Sequence, residues 1–320
     1  MSSVRKAEFQ FEAKFDYVPC NLCGSTSSVT LYSIPDFMLG SSDDEFSFVR
    51  CTQCGLVYQS PRSNNDHIND YYPPEYPPFS SQKHLTSWLL KKAINYGLEK
   101  RCNIVTHYKK NGRLLDFGCA TGDFLHVMAQ KSGWDLYGID INSYAVDIAK
   151  TKHLRVFAGT LDEAKFPDKY FDVITLWEVL EHLRDPIGIL KKINDILKPD
   201  GLVIIRVPNL QSIDEKMFGK YWAGYDAPRH LYVFSPQTIR KILNLAGFEI
   251  IEMNTKYGNY PSFAISLNFW MTEKIKSQRL RKFAQTFIEM PLVRVMISPI
   301  FFLSGLTMHG ATLTVVAQKR

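Results

Sequence analysis

Arg113-Leu114-Leu115-Asp116-Phe117-Gly118-Cys119-Ala120-Thr121-Gly122-Asp123-Phe124 is the stretch whose reading decides the fold. Leu114 to Phe117 is a short, mostly apolar run, as a buried parallel strand would be. A glycine-rich turn follows, and Phe124, Leu125, Val127 and Met128 then recur at helical spacing. Strand, turn and helix make a nucleotide-binding corner. Small residues let the main chain approach a ligand, and the helix N-terminus offers free N–H groups. Outward from this corner, residues 135–139, 155–159, 170–177, 202–207, 248–253 and 312–316 read as further strands. Asp185-Pro186 opens a helix with its N-cap and first position, and Lys198-Pro199-Asp200-Gly201 stops it. Ser235-Pro236 opens another, and Gly247 closes it. Strands alternating with helices predict an α/β fold with a parallel sheet covered on both faces.

The second strand ends in Asp140, 22 residues beyond Gly118. A carboxylate there can accept from both hydroxyls of a ribose. Sites for NAD and for S-adenosylmethionine share this much, and two details separate them. The glycines run Gly118-x-Ala120-x-Gly122 and not G-x-G-x-x-G, so the pyrophosphate turn is missing. Asp116 also stands two residues before the first glycine. A carboxylate there suits an ammonium and a sulfonium and would repel a pyrophosphate.

On these residues the stretch resembles the cofactor-binding half of class I S-adenosylmethionine-dependent methyltransferases. The resemblance implies a Rossmann-like sheet of seven strands, the last antiparallel and inserted beside the sixth. It implies that Asp116, Gly118, Cys119, Ala120 and Gly122 cradle the methionine end, that Asp140 and Ile141 meet the ribose and its surroundings, and that Thr160 and Leu161 hold the adenine. It places Trp177 and Glu178 beside the methyl group. Ala120 stands where the family has a middle glycine, and its methyl group is expected to tighten the turn.

Cys20-Asn21-Leu22-Cys23-Gly24 and Cys51-Thr52-Gln53-Cys54-Gly55 are two Cys-x-x-Cys-Gly knuckles, with 27 residues between Cys23 and Cys51. In each, a two-residue gap points both thiolates at one ion while turn N–H groups face the sulfurs. Together Cys20, Cys23, Cys51 and Cys54 make a closed tetrahedral set that suits structural zinc, with short strands around it forming a zinc ribbon. Some class I methyltransferases acting on nucleotide-linked sugars and surface-glycan precursors carry a similar module ahead of the catalytic domain. Residues 17–60 have Arg50 alone against Asp36, Asp43, Asp44 and Glu45, which argues against nucleic acid as a partner.

The division expected is a zinc ribbon over 17–62, a linker over 63–83 and a methyltransferase domain over 84–320 with a helical insertion at 256–310. Residues 1–16 read as a charged lead-in, and Tyr71-Tyr72-Pro73-Pro74-Glu75-Tyr76-Pro77-Pro78 as a stiff spacer. Leu85, Trp88, Leu89, Ile94, Leu98, Ile104 and Val105 supply the apolar face of one or two helices that cover the cofactor pocket in the related enzymes. The N-terminus shows no secretory signal, and cysteines in knuckles suit a reducing compartment, so a cytoplasmic protein is expected.

The chain of 320 residues has net charge +6, and residues 270–320 account for all of it, with eight Lys or Arg against two Glu. Apolar runs lie alongside, at 263–271 and 291–303. Three readings of the insertion follow: a cap over the acceptor pocket, a dimer interface, or peripheral contact through 260–305 with an anionic membrane surface. Oligomeric state stays open. If membrane is touched, Phe269, Trp270, Phe301 and Phe302 are the side chains expected to enter it.

Two histidines fall near the carboxyl ends of the strands, where open α/β sheets bind ligands. His182, in Leu180-Glu181-His182, sits in a run shared by many related methyltransferases and reads as mainly architectural, with a direct catalytic role as its second reading. His230 is the candidate base, because in ribbon-bearing sugar C-methyltransferases a Glu-His pair precedes a similar aromatic run. Here Arg229 stands at the glutamate's place, so the imidazole lacks an acidic neighbour in sequence, and arginine suits an anionic acceptor. Tyr221, Trp222 and Tyr225 are candidates to stack on a sugar or ring, or are ordinary lid aromatics. The expectation is methyl transfer to a small polar acceptor, a sugar or nucleotide-sugar, by O- or C-methylation. The alternatives are a lipid-linked or quinone-like acceptor at the inner membrane surface, and a non-catalytic scaffold that binds the cofactor.

Overall fold

The computed structural model describes residues 14–40, 44–64, 67, 71–72, 88–257 and 259–320. Most of the expected lead-in, the spacer beyond Tyr72, Leu85 and the side chains of Trp88 and Leu89 lie outside the described residues.

The N-terminal part holds β1 (Phe15–Asp16), β2 (Ser28–Ile34), β3 (Phe46–Cys51), β4 (Val57–Gln59) and β5 (Arg62–Ser63). Then come α1 (Trp88–Tyr108), β6 (Gly112–Phe117), α2 (Asp123–Met128), β7 (Trp134–Asp140), α3 (Ser143–Lys150), β8 (Arg155–Ala158), α4 (Leu161–Ala164) and β9 (Phe171–Trp177). The second half runs α5 (Pro186–Ile196), β10 (Leu197–Pro208), α6 (Ile213–Phe218), β11 (Tyr232–Val233), α7 (Pro236–Leu245) and β12 (Phe248–Asn254). Three insertion helices follow, α8 (Asn259–Lys274), α9 (Gln278–Glu289) and α10 (Pro291–Leu306), before β13 (Thr312–Lys319).

Seven strands form one sheet in the order β12-β13-β10-β9-β6-β7-β8. The β10-β9-β6-β7-β8 pairings are parallel. β13 runs antiparallel to both β10 and β12. This is the expected Rossmann-like methyltransferase fold. Central strands are apolar on both sides because helices cover both faces, and Leu114, Leu115, Val173, Ile174, Val203, Ile204 and Ile205 are fully buried. Asp185 caps α5 by accepting from the Gly188 N–H at 3.0 Å, with Pro186 at the first position. The stop at 198–201 is absorbed into β10 as a register shift between Leu197 and Leu202. On α1, Leu98, Cys102 and Val105 are buried, and they pack with Phe124, Leu125 and Met128 of α2.

A second sheet, of order β11-β4-β3-β2, carries the cysteine knuckles. Its edge strand β11 belongs to the loop after β10, with Tyr232 paired to Tyr58 and Val233 to Val57. The cysteine-bearing sheet is therefore completed by a strand from the part of the chain that follows β10. Phe46, Phe48, Tyr71, Tyr221, Trp222 and Tyr225 close a shared core beneath it. The aromatic residues expected to stack on a ligand are thus packing residues. Trp222 and Tyr225 are fully buried, and Tyr225 lies edge-on to Tyr32 of β2 at 5.4 Å.

Candidate functional site

The glycine turn joins β6 to α2 and is shaped by three residues at positive φ: Gly118 at 77°, Ala120 at 44° and Gly122 at 73°. A Cβ on Gly118 would stand 2.5 Å from Val179, and one on Gly122 would stand 2.5 Å from Leu154, so neither position admits a larger residue. Ala120 pays the left-handed conformation with its Cβ in place, a cost of about 1–2 kcal/mol. Its N–H donates to Asp140 Oδ2 at 2.8 Å, and the Asn142 N–H donates to Asp140 Oδ1 at 2.9 Å. The Asp140 carboxylate is thereby held on the turn, with lone pairs left over for a further donor. Burial raises its pKa, and these two N–H groups pull it back down.

Asp116 is buried at the end of β6, and Thr175 Oγ1 donates to its Oδ1 at 2.6 Å. Burial pushes this carboxyl up to about 7. A cation arriving there would restore its charge. Ile141 is an apolar side chain left 79% exposed just past Asp140. Thr160 is committed to the N-cap of α4 in a capping box with Glu163, and Leu161 is buried. Glu178, at φ 56°, is clamped by Arg206 in a fork of 2.7 and 2.8 Å, and Arg101 of α1 reaches its Oε2 at 3.3 Å. Burial would raise Glu178, but Arg206 and Arg101 hold its carboxyl below the usual range. Both guanidiniums also lie over the Trp177 ring, at 5.4 and 5.6 Å. Arg206, the one charged residue in the 202–207 run of β10, is thus the partner that fixes Glu178.

The second half of the site is a histidine cluster. His182 ends the single-turn helix Leu180–His182, and its ring lies 4.7 Å from that of His230. His182 Nδ1 donates to the Arg229 carbonyl at 2.9 Å, and the Tyr72 hydroxyl stands 3.2 Å from the same nitrogen. His230 Nδ1 donates to the Gly224 carbonyl at 2.9 Å. That bond fixes the tautomer and leaves the Nε2 lone pair free to act as a base. Burial pushes His182 down to about 3 and lowers His230, so both rings are neutral at pH 7. Glu181 lies with them: one of its oxygens and a nitrogen of each ring fall within 4.8 Å of one another. Glu181 is fully buried and neither oxygen has a hydrogen-bond partner among the described residues. Burial, then Glu178, raises its pKa well above the usual carboxylate range.

Arg229 does not face a ligand. Its guanidinium is fully buried and chelated by Asp36 at 2.6 and 3.0 Å and by Asp226 at 2.6 and 3.1 Å. The expectation of an anion-binding arginine is overturned, because two carboxylates already neutralise it. The expectation that His230 lacks an acidic neighbour is overturned as well. Asp226 Oδ2 lies 3.9 Å from His230 Nε2, and Glu181 completes the surroundings. Nor does His230 cap the next helix, since Ser235 does so in a capping box with Thr238. Tyr71 and Tyr72, read as the start of a spacer, belong to this site. The Tyr71 carbonyl accepts from Arg229 at 3.4 Å, and Tyr72 stands against His182. Sequence reasoning missed Glu181, Asp226, Arg206, Arg101 and Tyr72. Arg206 and Glu181 left a signal, as charged residues inside apolar runs.

The four knuckle cysteines converge. All four Sγ atoms lie within 4.8 Å of one another, with Cys20–Cys54 at 3.4 Å and Cys23–Cys51 at 3.5 Å. Four thiolates at about 2.3 Å from one zinc stand about 3.8 Å apart, so the donor set fits that ion. Burial raises Cys20 and Cys54, whereas the N–H groups of Cys54 and Gln53 aimed at the Cys51 sulfur bring that thiol to about 6 against its own burial.

A family model described as a methyltransferase domain matches residues 94–253, which is half of the chain. The chain belongs to that family. It is 34% identical over 117 residues to the ubiquinone biosynthesis O-methyltransferase of Actinobacillus pleuropneumoniae, covering 32% of this chain and 49% of that protein. It is 29% identical over 117 residues to the demethylmenaquinone methyltransferase of Bacillus licheniformis, covering 34% and 49%. The chain thus spans about half the length of the curated relatives it matches. A solved SAM-dependent methyltransferase from Archaeoglobus fulgidus aligns over 72% of this chain and 99% of that one, at 21% identity and a TM-score of 0.46.

Proposed function

We propose that this protein transfers a methyl group from S-adenosylmethionine to an acidic hydroxyl, of the phenol or enol class, on a small acceptor. The observation that carries the reading is His230: a neutral, buried imidazole whose Nε2 lone pair is left free by the Gly224 carbonyl, among Glu181, His182 and Asp226.

Bound at the glycine turn, S-adenosylmethionine supplies an electrophilic methyl group on a sulfonium. Asp140, already aligned by Ala120 and Asn142, accepts from the ribose hydroxyls. Asp116 faces the cationic end, and the exposed Ile141 covers the base. Glu178, fixed by Arg206 and Arg101, lines the methyl side with Trp177. His230 Nε2 takes the acceptor's proton as the oxygen attacks. Asp226 then meets the imidazolium, which offsets the burial that disfavours its charge.

The acceptor class follows from the base. An imidazole lowered by burial is a poor match for the alcohol of a sugar and a better one for a phenol or enol, whose proton is more acidic. The names of the curated relatives support this choice, since one refers to ubiquinone biosynthesis and the other to demethylmenaquinone. The features that suggested a nucleotide-sugar were the cysteine module, Arg229 and the aromatic residues Tyr221, Trp222 and Tyr225, and of these Arg229 and the aromatic residues are buried among protein partners. We also assign structural zinc to Cys20, Cys23, Cys51 and Cys54, in a module spanning 17–62 that braces the catalytic domain through β11.

The test is methyl transfer from labelled S-adenosylmethionine to a panel of catechols, quinols and nucleotide-sugars. Turnover on the phenolic members is expected. Turnover confined to nucleotide-sugars would replace the acceptor class and keep the rest.

A further inference from the structure

Helices α8, α9 and α10 are 16, 12 and 16 residues long, and among the described residues no helix is long and apolar enough to cross a membrane. Their outer faces are nevertheless apolar. On α9, Leu280, Phe283 and Phe287, followed by Met290, recur at helical spacing and are 46–68% exposed. The opposite edge of that helix is polar and turns inward: Gln285 bonds Asn268, and Arg281 Nη1 donates to the Thr272 carbonyl at 3.4 Å. This inverts the arrangement of a helix lying on a water-soluble body, whose apolar stripe faces the core. α10 repeats it. Val295, Met296, Ile300, Phe302, Leu303 and Leu306 are exposed, while Ser304 and Gly305 pack inward, with Thr255 Oγ1 donating to the Gly305 carbonyl at 3.1 Å. Of the 21 exposed large hydrophobic residues among those described, 12 lie between Ile265 and Leu306. A patch of this kind marks an interaction surface.

Charge decides what it meets. Lys274, Lys276, Arg279, Arg281 and Lys282 gather where α8 passes into α9, beside the exposed Trp270. The region from 270 onward holds the whole net charge of the chain. We propose that α8–α10 dock this protein on an anionic lipid bilayer, with the outer faces of α9 and α10 in the interface and the basic residues at the headgroups. A second copy of the chain is disfavoured as the occupant, because pairing this surface with itself sets like charges against each other. Phe269 and Phe301 take no part, contrary to the sequence expectation. Phe269 is buried and stacks on Phe37 at 5.6 Å, and Phe301 packs on Phe263 at 5.5 Å. Trp270 and Phe302 remain available. The docking face is one loop from His230: Ser266 Oγ of α8 accepts from the Ala223 N–H at 2.9 Å, and the next carbonyl, Gly224, holds His230. The inference stands independently of methyl transfer, but it puts the base within reach of an acceptor held at a membrane.

The full chain is sedimented with vesicles of phosphatidylcholine alone and of phosphatidylcholine with phosphatidylglycerol, at low and high salt. Binding to the anionic vesicles is expected, weakened but not abolished by salt, with little binding to the neutral ones. Replacing Lys274, Lys276 and Arg279 by Gln should lower the partition on the order of 10²-fold. Phe283→Ser with Phe302→Ser should remove the salt-resistant part. All are exposed positions, and unchanged circular dichroism confirms folding. Failure to bind anionic vesicles at low salt, or equal binding to neutral ones, overturns the proposal. So does a dimer in solution that Phe283→Ser disperses, since a second copy would then cover the face.

Discussion

The glycine turn and the histidine cluster share one edge of the sheet and are made in opposite ways. The turn comes from one contiguous stretch, Asp116 to Asn142, in which main-chain N–H groups hold the Asp140 carboxylate across no more than 20 residues, and Thr175 of β9 adds a bond to Asp116. The cluster is assembled from Tyr72, Glu181, His182, Gly224, Asp226 and His230, and its brace runs from Arg229 to Asp36, 193 residues upstream. The turn is therefore a local device that the catalytic sheet provides by itself. The cluster needs the cysteine module, since β11 and Asp36 tie the loop of His230 to it.

The sharpest way to break this contrast is His230→Ala. Loss of a general base should lower turnover 10²–10⁴-fold and leave cofactor affinity unchanged. The pH profile belongs to the same experiment. Burial lowers His230 below the ordinary imidazole value of about 6.5, so turnover should hold below that pH and not begin to fall there, as an exposed base would require. Normal turnover in the variant would move the base elsewhere.

Arg229→Met tests the brace. It removes the guanidinium shared by the buried Asp36 and Asp226, and denaturant unfolding should show a loss of about 3–5 kcal/mol. The same loop holds His230, so activity should fall with it, whereas cofactor affinity of the folded fraction should survive. Stability within 1 kcal/mol of wild type would mean the ion pairs do not form in solution.

Protonation of the cluster gives a further effect on folding. His182 is lowered to about 3 in the fold and sits near 6.5 when unfolded, so the unfolded chain binds the extra proton between those values. Its contribution to stability is complete above pH 6.5 and is lost as pH falls toward 3. Asp116, raised to about 7, acts oppositely and favours the fold less as pH climbs from about 4 to 7. His182→Gln should flatten the acid limb of a stability-against-pH curve, and an unchanged limb would assign that limb to other groups.

The smallest expected change is Ala120→Gly. Relief of the left-handed strain is largely offset by the greater unfolded freedom of glycine, so stability should move by less than about 1 kcal/mol. A loss of several kcal/mol would show that the alanine methyl packs against something the turn needs.

The same contrast explains how much could be read from the sequence. The strand positions, the antiparallel last strand beside the sixth and the Asp185 cap were legible because spacing, capping residues and a family resemblance act over short range. The cradle residues were named from a motif that fits inside one loop. Arg229 was misread because nothing in its neighbourhood announces a carboxylate from the other end of the chain. Glu181 was passed over inside a common run, and burial beside two imidazoles is what sets it apart. The aromatic residues at 221–225 looked like a ligand platform, and only the ribbon sheet above them shows that they are core. The insertion was readable as basic and apolar, but not which faces turn outward.

Calorimetric titration of S-adenosylmethionine into the wild type, Asp140→Ala and His230→Ala tests the central claim most directly. The account predicts one site per chain in the wild type and His230→Ala with the same affinity. It predicts affinity lowered roughly 10–150-fold in Asp140→Ala, the equivalent of one charge-assisted bond of about 1.5–3 kcal/mol. No binding to the wild type, or undiminished binding to Asp140→Ala, would contradict it.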